Sequence, residues 1–243
     1  ERIFMNTILE LCCYHLLAFQ AKLDCANEYF KQSYSIILQA YNIPILEVPG
    51  FEADDVIGTL AKKAESIGLS VQMVTPDKDY AQLVSPNITM CRPGHGAKGM
   101  ELLGPAEVCE KYGVGAPENV IDYLSLTGDA ADNIPGCPGV GEKTAKTLLA
   151  DFGNVETLIE NAGQLKGALK KKIEENVEKI RFSKFLVTIR TDVPIDFDAE
   201  RFKVKEADKE RLQKIYERLE FRSFIKKMQD ADKVLKNTPQ QRS

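Results

Sequence analysis

The clearest alternation of apolar and polar positions begins near residue 42. Ile43-Pro44-Ile45-Leu46-Glu47-Val48 is a short apolar run closed by Pro49-Gly50, which predicts a strand ending in a turn. Val56, Ile57, Leu60, Ala61, Ala64 and Ile67 then recur at helical spacing, and Gly68 supplies the stop. Residues 69–74 are apolar and β-branched and end abruptly at Thr75-Pro76-Asp77, which predicts a second strand. Strand, helix, strand in that order is the βαβ signature of a parallel sheet flanked by helices. The Gly- and Pro-containing stretch 85–104, with Ile88-Thr89-Met90 as a strand, predicts an edge hairpin.

Beyond Pro105 the pattern turns helical. Pro105-Ala106-Glu107 opens a helix that reaches Tyr112, and Pro117-Glu118 opens another that stops at Gly128, each with proline at the first helical position. A third helix begins near Gly141 and runs to Ala150. Residues 164–190 and 205–229 carry Lys, Glu, Leu and Ile at helical spacing, and the chain ends in a polar tail. Residues 1–40 show only a weak helical pattern around Ile8, Leu11, Cys12, Ile36 and Ile37. The expected organisation is an atypical segment 1–40, a partial α/β core 41–104, a helical domain 105–229 and a tail 230–243.

Composition narrows this little: 44% hydrophobic and 28% charged residues in 243 are ordinary for a globular protein. The six cysteines form no CxxC pair and no even ladder, so reduced thiols in a cytoplasm fit better than a zinc site or a disulfide framework. The apolar stretch 3–21 is interrupted by Asn6, Glu10, His15 and Gln20, which argues against a membrane span, and it lacks the basic start of a secretion signal. The opening residue Glu1 suggests a fragment. The net charge of −4 hides an asymmetry: residues 1–160 hold 11 Lys/Arg against 22 Asp/Glu, and residues 161–243 hold 21 against 14. An acidic half and a basic half suit a nuclease, which holds cations and phosphates in different places; two solvated helical faces would give the same counts.

Glu52, Asp54 and Asp55 follow the first expected strand, and Asp77 and Asp79 follow the next. Parallel strands end on one edge of a sheet, where open α/β folds bind ligands, so these five carboxylates should converge. Packed together they repel unless a cation joins them, and hard ions with oxygen ligands, Mg²⁺ or Mn²⁺, are the natural partners. Two such ions about 4 Å apart activate a water and stabilise the leaving oxygen in phosphodiester hydrolysis. Helix capping and the macrodipole also favour acids in a first helical turn, which alone would explain Asp54 or Asp55. Asp129 and Asp132 join only if the helical segment folds back over the sheet edge.

The most specific stretch runs from Asn133 to Ala145. Gly136, Gly139, Val140 and Gly141 form a tight turn leading into a helix, and Lys143, Thr144 and Lys146 lie in its first turns. Amides of such a turn and the positive end of the helix form a phosphate seat, whose binding would ignore base sequence and respond to salt. A Walker A loop would need GxxxxGK[ST], and Glu142 follows Gly141 where that motif has lysine. A plain Pro-Gly loop between helices is the structural alternative.

Three ordered motifs carry a family resemblance: Val48-Pro49-Gly50-Phe51-Glu52-Ala53-Asp54-Asp55, then Thr75-Pro76-Asp77-Lys78-Asp79, then Leu126-Thr127-Gly128-Asp129-Ala130-Ala131-Asp132-Asn133-Ile134-Pro135-Gly136. From Ser35 to Met228 the chain resembles the 5′→3′ exonuclease domain of bacterial DNA polymerase I, within the 5′ nuclease and flap endonuclease superfamily. The resemblance implies a PIN-like parallel-sheet α/β core, incomplete at its N-terminus, followed by an α-helical helix-three-turn-helix (helix-hairpin-helix-like) domain. It implies two-metal cleavage of DNA at 5′ flaps, nicks and 5′ ends in replication and repair, with a polymerase domain following in the parent protein. Glu52, Asp54, Asp55, Asp77 and Asp79 would serve the first ion, Asp129 and Asp132 the second, and the glycine hairpin would hold duplex backbone and a K⁺ ion near Gly136 to Gly141. Family members begin with aspartate-bearing strands and a basic arch, which 34 residues are too few to supply, so a truncated or altered start is expected, with Asp24 a lone candidate ligand. A DNA-binding remnant without turnover is the alternative function, and a PIN-type ribonuclease a third.

Overall fold

The computed structural model describes residues 35–94 and 99–237, with side chains through residue 230. Asp24, most of the atypical segment 1–40 and the last residues of the polar tail lie outside them. The described residues form two compact units, one of residues 47–197 and one combining residues 35–46 with those from 198 onward.

The first unit opens with helix α1 (Ala53–Ser66), whose buried face carries Val56, Ala61 and Ala64. Strand β1 (Val71–Val74) follows, then a 3₁₀ helix (Lys78–Leu83), strand β2 (Ile88–Pro93) and strand β3 (Met100–Leu103). The three strands make a sheet in the order β1-β2-β3. β1 lies parallel to β2, with Val71 opposite Ile88, and β2 lies antiparallel to β3, with Met90 opposite Leu103. The edge hairpin expected around Ile88 is therefore β2–β3.

Residues 43–48 depart from expectation, forming no strand among the described residues. Pro44 brings no amide hydrogen to a ladder, Ile45 is exposed, and no described strand runs beside them. The parallel pair is instead β1 with β2, joined through the 3₁₀ helix.

Helices make up the rest of the unit. α2 (Pro105–Tyr112) has proline in its first turn, the Gly104 amide donating to the Glu107 carboxylate, and left-handed Gly113 at its end. After a 3₁₀ turn (Pro117–Asn119) come α3 (Val120–Thr127), α4 (Glu142–Phe152), α5 (Val155–Glu160), α6 (Gly167–Glu175) and α7 (Val177–Val187). α3 is buried on nearly every side, which its run of Val120, Tyr123, Leu124 and Leu126 requires. One continuous core joins Met73, Ile88 and Met90 of the sheet to Leu124, Leu148, Leu158 and Ile180 of the helices.

Residues 187–193 return to the start of this unit and are laced to it by side chains. The buried Gln82 amide donates to the Val187 carbonyl at 2.8 Å and accepts the Ile189 N–H at 3.0 Å. The Asp55 carboxylate accepts the Arg190 N–H at 2.8 Å, and the Thr59 hydroxyl accepts the Val193 N–H at 3.1 Å. Gly58 permits the approach, because a Cβ there would fall 2.8 Å from Ile189 Cγ2.

In the second unit residues 35–40 are helical and α8 (Lys209–Arg218) and α9 (Arg222–Asn237) follow. Ala40, Leu212, Ile215 and Tyr216 form its small core, and the Tyr41 and Tyr216 hydroxyls meet at 2.9 Å. Among the described residues no helix is long and apolar enough to cross a membrane.

Candidate functional site

Each acidic motif sits at the start of a helix or inside a closed turn, which fixes its backbone before any ligand arrives. Glu52 is the exposed N-cap of α1, and Asp54 and Asp55 occupy the first turn, where the helix dipole favours them. Asp77 caps the 3₁₀ helix Lys78–Leu83 by accepting the Asp79 N–H at 3.0 Å, while its own N–H donates to the Thr75 hydroxyl at 3.1 Å. Asp129 and Asp132 lie in a turn closed at its base by reciprocal backbone bonds between Asp129 and Ile134, of 3.0 and 2.7 Å. The Lys78 ammonium reaches Asp129 Oδ2 at 2.8 Å, which draws this turn to the 3₁₀ helix. The turn of the helical segment is thus tied to the 3₁₀ helix that follows β1, an arrangement that spacing along the chain leaves open.

Electrostatics identifies which carboxylates share a neighbourhood. Asp77, Asp129 and Asp132 all bear on Asp79, and Asp77 also bears on Asp54 and Asp132. Asp77 is therefore the carboxylate that bears on most of the group, while Glu52 and Asp55 bear on Asp54. Burial, then Asp77 and to a lesser degree Asp129 and Asp132, push the Asp79 carboxyl up to about 7 despite the Lys78 ammonium. Burial raises Asp54, opposed by the Tyr80 hydroxyl and assisted by Asp77, Glu52 and Asp55. Partial burial and then Asp129 raise Asp132. Burial also works against ionisation of Asp129, but the Lys78 ammonium and the Ala131 N–H outweigh it and hold that carboxyl below its usual range.

The side chains are not all free to serve a cation. Asp55 is engaged with the Arg190 amide, and Asp129 is paired with Lys78. Asp79 Oδ1 is buried with no hydrogen-bond partner, an expense a structure tolerates where something else is meant to meet the atom. Among the described residues no three acidic, imidazole or thiol groups stand close enough to coordinate one ion as they are now placed. The donor chemistry nevertheless fits a hard divalent cation: oxygen ligands throughout, mutual repulsion, and one orphaned buried oxygen.

Burial of Asp79, with the repulsion from Asp77 behind it, makes stability depend on pH. A carboxyl held up to about 7 in the folded protein binds its proton more tightly there than in the unfolded chain, so stability is full at acid pH and is lost as pH rises through the folded value. The melting temperature of metal-free protein is therefore expected to fall between about pH 5 and pH 8, and Asp79→Asn should flatten that fall. Scanning calorimetry across the range checks both; a flat wild-type curve would remove the burial argument.

The glycine hairpin follows directly from the acidic turn. Gly128 and Gly136, both at positive φ, press backbone to backbone where the turn closes. The Gly136 N–H donates to the buried Ser183 hydroxyl at 2.9 Å, and the Cys137 N–H donates to the Leu126 carbonyl at 2.8 Å. Gly139 turns the chain at φ +79, and its carbonyl accepts the Lys172 ammonium at 3.1 Å. Gly141 caps α4 at an ordinary extended φ of −95, and a Cβ there would meet open space. The first amides of α4 have no side-chain cap, so they face outward beside exposed Lys143 and Glu142.

Of the seven residues expected to contact DNA, Gly139, Gly141 and Lys143 are exposed, Thr144 and Lys146 half-buried, and Gly136 and Val140 buried. Lys146 donates its ammonium to the Lys111 carbonyl at the end of α2, and Val140 packs in the core. Sequence reasoning missed Tyr80, Gln82, Lys172 and Ser183. Tyr80, Lys172 and Ser183 each hold a motif residue from a different element, and Gln82 ties the 3₁₀ helix of Asp79 to residues 187–189; spacing along the chain gives no sign of it.

Comparison with known proteins finds two family matches in succession along the chain. Residues 26–113 match the family description "5'-3' exonuclease, N-terminal resolvase-like domain", and residues 115–210 match "5'-3' exonuclease, C-terminal SAM fold". DNA polymerase I of Bacillus caldotenax is 40% identical over 194 residues, which are 79% of this chain and 22% of that protein. The thermostable DNA polymerase I of Thermus filiformis is 45% identical over 181 residues, 74% of this chain and 21% of that one. The chain thus spans about a fifth of the length of these curated relatives. Among solved structures, bacteriophage T5 D15 flap endonuclease in a pseudo-enzyme-product complex with DNA and metal ions superposes with a TM-score of 0.58. It is 19% identical, with 82% of this chain and 74% of that one covered, a likeness of fold.

Proposed function

Because this chain belongs to the 5′→3′ exonuclease family, with a resolvase-like α/β part followed by a helical one, we propose that it hydrolyses DNA phosphodiesters at 5′ ends, nicks and 5′ flaps. The observation that carries the reading is the buried, unpartnered Asp79 oxygen, on a carboxyl that feels Asp77, Asp129 and Asp132, the last two on the turn that opens the glycine hairpin.

Asp54, Asp77 and Asp79 would hold one divalent ion and Asp129 and Asp132 a second, Mg²⁺ or Mn²⁺ by the hardness of their oxygens. Bound there, such ions supply a water made nucleophilic at neutral pH and stabilise charge on the leaving oxygen. The chain's own residues do the positioning. Asp77 and Asp79 stay aligned by the cap of the 3₁₀ helix, and Lys78 holds the Asp129 turn against it. With its carboxyl held up to about 7, Asp79 carries a proton part of the time at neutrality, and that proton must leave when a cation enters, so metal uptake should strengthen with pH. The α4 amides and Lys143 receive the phosphates of the duplex, a contact indifferent to base sequence. A K⁺ ion at the hairpin would share the Gly139 carbonyl with the Lys172 ammonium. A cytoplasmic setting and a polymerase activity in the parent protein belong to the same proposal, resting on relatives of that name.

Incubation with a labelled 5′-flap duplex and Mg²⁺ tests it. Short 5′ products, lost on chelation, are expected. Binding without products would mark a DNA-binding remnant, and stronger cleavage of RNA than of DNA would mark a ribonuclease; either outcome overturns the proposal.

A further inference from the structure

Tyr80 is buried to 4% exposure, and its hydroxyl donates to Asp54 Oδ1 at 3.0 Å, bridging the 3₁₀ helix Lys78–Leu83 and the first turn of α1. The other acids of the site are held by different partners. Asp129 faces an ammonium, and Asp55 is tied to a backbone amide on the returning segment. A tyrosine hydroxyl, like a backbone amide and unlike an ammonium, is a neutral donor, so it fixes the orientation of a carboxylate without cancelling its charge. Oδ1 of Asp54 is engaged by Tyr80, and Asp77 is the carboxylate that bears on Asp54 most strongly.

The position of Tyr80 matters as much as its chemistry. It follows Asp79 directly in the 3₁₀ helix that Asp77 caps. One short turn therefore presents Asp79 to Asp129 and Asp132 while its next residue reaches back to Asp54. The hydroxyl sets the spacing between the α1 acids and the acids of the 3₁₀ helix, which no backbone bond joins.

We propose that Tyr80 is a positioning residue that locks Asp54 to the 3₁₀ helix and so sets the affinity of the site for divalent cations. The inference rests on the nuclease reading of these carboxylates. Partners of metal ligands in other proteins typically change metal affinity by about 10- to 100-fold when removed.

Tyr80→Phe deletes one oxygen and keeps the ring. Mn²⁺ binding by the whole chain without DNA, followed by calorimetry at about pH 7.5, is expected to weaken about tenfold. Flap cleavage should need more Mg²⁺ for half-maximal rate, with the rate at saturating Mg²⁺ recovering. Tyr80→Leu, which keeps an apolar filling and also lacks the donor, should weaken Mn²⁺ binding alike, and thermal melting shows which variants remain folded. Wild-type Mn²⁺ affinity in either folded variant overturns the inference, provided Asp54→Asn does weaken binding. If Asp54→Asn leaves Mn²⁺ affinity unchanged, the failure lies with the metal-site reading itself.

Discussion

Asp77→Asn is expected to lower cleavage of a 5′-flap duplex about a thousandfold while leaving the fold intact. Asparagine caps a helix about as well as aspartate, so the bond that Asp77 accepts from the Asp79 N–H survives the change. What disappears is the charge that bears on Asp54, Asp79 and Asp132 together. Without divalent ions that removal relieves repulsion, so the melting temperature should hold or rise while activity falls. Few substitutions move the two quantities in opposite directions, and a folding defect cannot. Single-turnover cleavage at saturating Mg²⁺, measured beside thermal melting, checks it. A loss smaller than tenfold in a folded variant would take Asp77 out of the site.

The second large effect falls on stability. Gly136 sits at φ +60, and a Cβ there would lie 2.5 Å from the Gly128 nitrogen and 2.8 Å from its Cα. The obstruction is backbone, so no side chain can swing aside to admit a methyl group. A left-handed alanine costs about 1–2 kcal/mol, and forced overpacking about 1–3 kcal/mol more. Gly136→Ala should therefore destabilise the protein by about 3 kcal/mol, a fall of about 6–12 °C in melting temperature for a chain of this size. Gly141→Ala is the contrast: its φ is −95 and its surroundings are open, so the melting temperature should stay put. DNA binding should still weaken there, because the methyl group stands where a phosphate would approach the α4 amides. Calorimetry and a salt-titrated binding assay on both variants separate the two roles of glycine in one turn; equal melting losses would show that the roles are not distinct.

Much of this was legible in the sequence because the signals are local. Proline at a helix start, glycine at a helix end and apolar residues at helical spacing marked α1, α2, α3 and α4 to within a few residues. The acidic motifs could be read because capping and turn chemistry are written in adjacent residues, as with Asp77 and Asp79. The strand expected at residues 43–48 shows the limit: an apolar run becomes a strand only where a neighbour offers hydrogen bonds, and the sequence does not name the neighbour. The site's supporting residues were hidden for the same reason. Tyr80 and Asp54 are 26 positions apart, and Gly136 and Ser183 are 47 apart. Lys146 lies one turn into α4, which points to a phosphate contact; its bond to the Lys111 carbonyl depends on how two helices pack, which adjacent residues do not encode.

The lacing of residues 187–193 onto the 3₁₀ helix and α1 bears on how the chain is made. Its bonds join positions 105 to 135 residues apart, among the longest separations in this unit. Pairings so distant are the last that a growing chain can form, and they slow folding because loop closure must come before any reward. On a ribosome the 3₁₀ helix and α1 would emerge well before their clasp, with the Gln82 amide and the Thr59 hydroxyl facing water instead of backbone. The acids borne on those elements therefore reach their final setting only after Val193 has left the exit tunnel. On the nuclease reading proposed above, cleavage competence would then come late in the unit's synthesis, after its first elements have left the tunnel.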